Sequence, residues 1–185
     1  MKKIILLGDS IRLIGYGKKV PAMLGDGYEV WQPTDNCRFA HYTLRGLWDW
    51  QKELEGADII HWNNGLWDAC ELFDDGPFTP MDDYVKEMVR IAGILQKKAK
   101  KVIFATTTPV KPANPHDSTE RIAKFNAALV PELEKMGVAI NDLFTLVAAD
   151  IEQYIAADNL HLSEAGIDLC ADAVVKAIKK AEAEL

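Results

Sequence analysis

The chain has 185 residues, 49% hydrophobic and 26% charged, which suits one compact soluble domain with a sizeable core. Its net charge of −7 and the absence of a basic stripe argue against a nucleic-acid partner. No apolar run approaches the ~18–20 residues of a membrane helix, and the three cysteines are scattered with no CxxC pair, which argues against a disulfide framework or a zinc site.

The chain opens on KIILLG (3–8), a short continuous apolar run that stops at Gly8-Asp9-Ser10. The run is too short for the ~7–15-residue core of a signal peptide, so the expected location is cytoplasmic. Four further runs have the same character: YEVWQ (28–32), ADIIHW (57–62), KVIFATT (101–107) and VAIN (138–141). Brief, unbroken and bounded by turn residues, they read as buried parallel strands.

Helical stretches lie between them. A helix is expected after Ser10. Thr79-Pro80-Met81-Asp82 offers an N-cap, a proline at N1 and an acid, opening a helix to about Lys100. Met81, Tyr84, Val85, Met88, Ile91, Ala92 and Leu95 fall on one face of it. Asp117-Ser118-Thr119-Glu120 resembles a capping box for a helix that Pro131 should kink or split. Ser163 caps a last helix with lysines towards its C-terminal half. Strands alternating with helices predict a three-layer α/β/α sandwich on a five-stranded parallel sheet, flavodoxin-like in outline, in one domain spanning 1–185.

Ligands of such sheets sit at the carboxyl ends of the strands. Ser10 follows the first strand, where a hydroxyl and its own N–H would face the rim together; the alternative is a helix cap. Asp158 lies three residues before His161, close enough to select the imidazole tautomer of a general base; the alternatives are a turn acid and a packed loop histidine. Asn63 ends the third strand, where its amide could donate to an oxyanion, whereas Asn64-Gly65 is itself a turn signal. His61 is a rival base and Cys37 a rival nucleophile. Arg12 could meet a substrate carboxylate or balance a neighbouring acid.

Gly-Asp-Ser after the first strand, Asn63 after the third and Asp-x-x-His before the last helix together resemble the SGNH hydrolases, also called GDSL esterases. The resemblance spans the chain from residue 3 to the final helix. It implies the SGNH hydrolase fold, Ser10 as nucleophile, His161 as general base, Asp158 as its partner, and Ser10 N–H and the Asn63 amide as oxyanion donors. The family's second block carries a glycine whose N–H completes the oxyanion hole. Here the matching stretch, Asp35 to Ala40, has none, so a main-chain N–H of Cys37 or Arg38 is expected to serve, Arg38 being preferred. The third block reads His61-Trp62-Asn63-Asn64 in place of Gly-x-Asn-Asp.

The stretch Asn63–Phe78, about 16 residues against the usual ~4–6, suggests a wall of the substrate site. Asp9, Trp62, Asn64 and Trp67 are the candidates for substrate contact, with an aromatic surface suited to a sugar ring. The implied activity is hydrolysis of short acyl esters, acetyl groups on carbohydrates included. It requires no metal and no cofactor, and the partner is a small-molecule or carbohydrate ester. Two other readings are a non-catalytic carbohydrate-binding relative and a flavodoxin-like binding or receiver domain.

Overall fold

A computed structural model describes residues 1–185. Five strands form one parallel sheet: β1 (Lys2–Leu7), β2 (Tyr28–Trp31), β3 (Ala57–Trp62), β4 (Ala99–Ala105) and β5 (Ala139–Asn141), in the order β2-β1-β3-β4-β5. The order reverses at β1, which pairs with both β2 and β3; Ile5 lies between Trp31 and Ile60. That reversal opens a crevice at the carboxyl ends of β1 and β3, where Ser10 and Asn63 emerge.

The buried stretches of the strands, Ile4–Leu7 of β1 and Val102–Ala105 of β4 among them, are apolar because both faces of the sheet are covered. On one side lie α1 (Ala40–Asp49), α2 (Met81–Leu95) and α3 (Thr119–Lys135). On the other lie α4 (Glu164–Glu182) and the short helices Val20–Leu24 and Leu143–Ala148. The core joins 43 buried apolar residues, including Ile4 to Leu7 of β1, Ile59 and Ile60 of β3, Met88 and Ile91 of α2, and Val174 and Ile178 of α4. No helix is long and apolar enough to cross a membrane.

Some elements differ from what the sequence predicts. After Ser10 the chain forms a π-helical turn, Ile11–Gly15, and a 3-10 turn, Tyr16–Lys18, rather than an α-helix. Non-helical backbone at Gly15 ends the first turn, and Arg12 is drawn inward by carbonyls described below. The helix expected from Thr79 starts one residue later, with Pro80 in the cap position. The Thr79 hydroxyl instead donates to Asp68 Oδ1 (2.8 Å). The same helix stops at Leu95, because Ala99 and Lys100 already belong to β4. α3 runs through Pro131 as one helix. The cap at Ser163 forms as expected, its hydroxyl accepting Gly166 N–H, whereas α3 is capped by Ser118, which accepts Arg121 N–H, and not by Asp117 at the head of the expected box.

Candidate active site

Three side chains from distant parts of the chain meet at the crevice. Ser10 O–H donates to His161 Nε2 (2.9 Å), and His161 Nδ1–H donates to Asp158 Oδ2 (2.7 Å). The loop before α4 is built to hold this pair. Asp158 Oδ1 accepts the N–H groups of Leu160 (3.0 Å) and His161 (2.9 Å), so one carboxylate fixes both the backbone and the ring. Asn159 turns the chain with a φ of 66°, and its carbonyl accepts Lys111 N–H (3.0 Å) from the neighbouring loop. An antiparallel bridge, Ile155 to Leu162, closes the base of the loop. Burial raises the Asp158 pKa, but the hydrogen bonds from the His161 ring and from Leu160 and His161 N–H outweigh it and hold the carboxyl at about 2. The carboxylate therefore stays charged and keeps the proton on Nδ1, leaving Nε2 free to accept from Ser10.

Gly8-Asp9 shapes the other half of the site. A Cβ on Gly8 would lie 2.0 Å from Asn63 Oδ1, so only glycine lets β1 approach the amide this closely. Asn63 is buried and oriented by two partners: Tyr16 O–H donates to its Oδ1 (2.7 Å), and its Nδ2 donates to Asp9 Oδ1 (2.8 Å). An amide nitrogen carries two hydrogens, so one N–H is left over. Ser10 N–H likewise has no acceptor.

The remaining residues expected at the site divide between pocket and support. Trp67, 40% exposed, lines a pocket of about 190 Å3 together with Ser10, Leu66, Cys70, Leu72 and Leu160. Asp9, Trp62 and Asn64 are fully buried and do not reach substrate space, which corrects the expectation for all three. Asp9 Oδ1 also accepts Ile11 N–H (2.9 Å) and sets the turn that presents Ser10. Burial pushes the Asp9 carboxyl up to about 6, against the hydrogen bonds from Asn63 and Ile11 and the nearby Arg12 charge. Trp62 packs edge-on against Phe104 and donates from Nε1 to Asn64 Oδ1 (2.8 Å). Asn64 passes the restraint on, donating from Nδ2 to Arg38 O (2.8 Å).

Arg38 is corrected as an oxyanion donor. It adopts a φ of 50°, and its N–H is taken by Asn36 Oδ1 (2.7 Å) within the same turn. Cys37 N–H is engaged with Gly8 O (3.1 Å) and Ala40 N–H with the buried Asp68 carboxylate (3.0 Å). Phe39 N–H is the main-chain donor of this turn that has no acceptor.

The rival groups are accounted for. His61 is buried against Tyr16, and burial lowers its pKa to about 3, so it stays neutral and away from Ser10. The Cys37 thiol is buried, accepts Gly8 N–H (3.2 Å), and is pushed up to about 11 by burial. Arg12 meets no acid directly. Its guanidinium donates to Gly8 O (3.0 Å), Pro33 O (2.8 Å) and Asp35 O (2.7 Å), tying the end of β1 to the loop after β2. No three His, Cys, Asp or Glu side chains converge in a way that could hold a metal ion. A larger hollow of about 530 Å3, between Phe39, Phe78, Pro80 and Glu87, contains none of Ser10, Asp158 and His161.

No protein-family model matches the chain. A GDSL esterase/lipase of Arabidopsis thaliana, CPRD49, is 26% identical over an alignment covering 97% of this chain and 80% of its own length. Over nearly its whole length the chain is thus similar to a GDSL-type esterase/lipase. Solved structures share the fold. A lipase/acylhydrolase from Enterococcus faecalis superposes with a TM-score of 0.78 at 21% identity, over 97% of this chain and 96% of the other. The acetyl xylan esterase AlAXEase gives 0.81 at 19% identity, over 95% and 99%. Axe2, an acetylxylan esterase from Geobacillus stearothermophilus, gives 0.76 at 17% identity, over 96% and 94%.

The residues that support the site leave little trace in the sequence. Tyr16 carries no local signal of a bond to a residue 47 positions away. His116 and Asp117, which also line the Ser10 pocket, lie in a segment that the sequence presents as a helix start.

Proposed function

We infer that this GDSL-type hydrolase is a serine esterase that removes short acyl groups through an acyl-serine intermediate, with acetylated carbohydrates as its substrate class. The observation that carries this reading is the unbroken chain Ser10 Oγ–His161–Asp158, with contacts of 2.9 and 2.7 Å.

In the first half-reaction the Ser10 proton passes to His161 Nε2 as Oγ attacks the ester carbonyl. The negative charge that develops on the carbonyl oxygen is met by Ser10 N–H and the second N–H of Asn63 Nδ2. Phe39 N–H, the free donor of its turn, takes the place that the missing second-block glycine leaves open. His161 then gives its proton to the departing alcohol, leaving acyl-Ser10. In the second half a water loses its proton to His161, attacks the acyl carbon, and Ser10 leaves with the proton returned from Nε2. Asp158 stays ionised throughout and steadies the imidazolium.

Substrate size follows from the pocket. At about 190 Å3 it lies below the ~300–1,000 Å3 of sites for drug-sized ligands, which suits a short acyl group and part of one ring rather than a long alkyl chain. The names of AlAXEase and Axe2 support acetyl on a carbohydrate as the class to test first.

The test is pre-steady-state turnover of 4-nitrophenyl acetate. The wild-type protein should release a burst of nitrophenol equal to the enzyme present, and Ser10→Ala should release none. Undiminished turnover by pure Ser10→Ala overturns the reading.

A further inference from the structure

The pocket beside Ser10 contains a charged group that neither the fold nor the proposed reaction uses. Asp117, in the loop between β4 and α3, lines the pocket with Ser10, Trp67, His116 and Leu160. Its main-chain N–H donates to Asn114 Oδ1 (2.7 Å), but no group of the protein bonds to its carboxylate, and Oδ1 is closed off from solvent without a partner. The helix does not require it, because Ser118 is the residue that caps α3. Arg121, the nearest cation on that helix, is committed elsewhere: to Ala69 O (2.5 Å), Glu71 Oε2 (2.9 Å) and His116 O (2.6 Å). Burial raises the Asp117 carboxyl to about 6, against the pull of Arg121 and His116. With Oδ1 sealed, Oδ2, to which no protein group bonds, is the oxygen that an outside donor can reach, and a partly buried carboxylate without such a donor is destabilising.

The chemistry of that missing partner can be narrowed. An ionised carboxylate only accepts hydrogen bonds, so the ligand must bring an O–H or N–H donor. Arg121 and His116 beside it disfavour a cation. The exposed indole of Trp67 gives the same pocket a flat apolar wall. A neutral ring carrying hydroxyl groups satisfies both surfaces at once.

We propose that Asp117 accepts a hydrogen bond from a free hydroxyl on the alcohol part of the ester, so that the enzyme selects partly acylated sugars or polyols over esters of simple alcohols. This rests on Ser10 being the nucleophile of the pocket, and it assigns Asp117 as a specificity-determining residue.

The experiment compares kcat/KM for a mono-O-acetylated methyl xyloside, which keeps free hydroxyls, with kcat/KM for 4-nitrophenyl acetate, which has none on its alcohol part. Losing a hydrogen bond to a charged group corresponds to a factor of about 10–100 in the sugar-to-nitrophenyl ratio. Asp117→Leu should lower the ratio by that factor, and Asp117→Asn, which keeps a carbonyl acceptor of the same shape, should lower it less. If Asp117→Leu fails to fold, a lowered ratio in Asp117→Asn carries the proposal and an unchanged one overturns it. An unchanged ratio in folded Asp117→Leu also overturns it, as does a wild-type protein that cleaves only the nitrophenyl ester. Absence of any Ser10-dependent cleavage of either substrate would instead overturn the esterase reading beneath it.

Discussion

Asp158 shows how one carboxylate can serve two purposes. One oxygen orients the imidazole and the other closes the turn that carries it, so the residue links local backbone to chemistry. Asparagine in its place would keep the turn-closing acceptor but could present an N–H to His161 Nδ1. The ring would then carry its proton on Nε2 and could no longer accept from Ser10. Asp158→Asn should therefore lower kcat by about 10³–10⁴ with near-wild-type thermal unfolding. Steady-state kinetics and a melting curve on the same sample check this; a fall of less than tenfold would contradict it. The sequence makes this pair readable because both residues lie in one loop. The oxyanion donors are harder to read. Asn63 follows from its place at the end of a strand, but which N–H of residues 37–40 is free depends on side chains such as Asn36 and Asp68 reaching back onto the backbone. Asp9, Trp62 and Asn64 likewise sit beside the site in sequence while turning into the core in space, so proximity along the chain overstates their contact with substrate.

The five strands were legible because a buried parallel strand is a short continuous apolar run bounded by turn residues. Helix starts were legible where a side chain caps them, as at Ser163 and, one residue off, at Ser118, and misread where tertiary bonds take the capping group away, as Asp68 does with Thr79. The helix start at Ser163 is also tied to the site, two residues after His161. Its hydroxyl accepts Gly166 N–H (3.1 Å) and donates to Gln153 O (2.6 Å), pinning α4 to the preceding short helix. Ser163→Ala should cost about 1 kcal/mol of stability. Because it loosens the foot of the loop that carries Asp158 and His161, kcat should fall more than KM rises. Urea unfolding together with a kcat-against-KM comparison reads both effects; unchanged stability would show that the cap bears no weight.

Across the whole molecule, three carboxyl groups are raised from 3.8 by burial: Asp9 to about 6, Asp68 to about 7 and Asp117 to about 6. Each binds a proton more tightly in the folded than in the unfolded chain. Each therefore contributes stability that is fully present below about pH 4 and is lost as pH rises through 6 to 7, by up to ~1.4 kcal/mol per pH unit per group. Asp158, held at about 2, and His61, held at about 3, act in the opposite sense and more weakly in sum than the three acids: the contribution of Asp158 disappears as pH falls from 4 to 2, and that of His61 as pH falls from 6.5 to 3. Stability should thus be greatest near pH 4–5 and decline towards pH 8. Asp68→Asn, which removes the most strongly raised group, should make the decline between pH 5 and 7 shallower. Urea midpoints measured across this range decide it; a stability that rises steadily to pH 8 would contradict the placement of these buried acids.

The arrangement of sheet, turn and loop gains its meaning from one claim, that Ser10 is made nucleophilic by His161. Reaction of the protein with a fluorophosphonate, followed by mass spectrometry of the intact chain and of its peptides, tests that claim most directly. The expected result is a single adduct on the peptide containing Ser10, and no adduct in Ser10→Ala or His161→Ala. A wild-type protein that stays unmodified, or that carries its adduct on another residue, would contradict it.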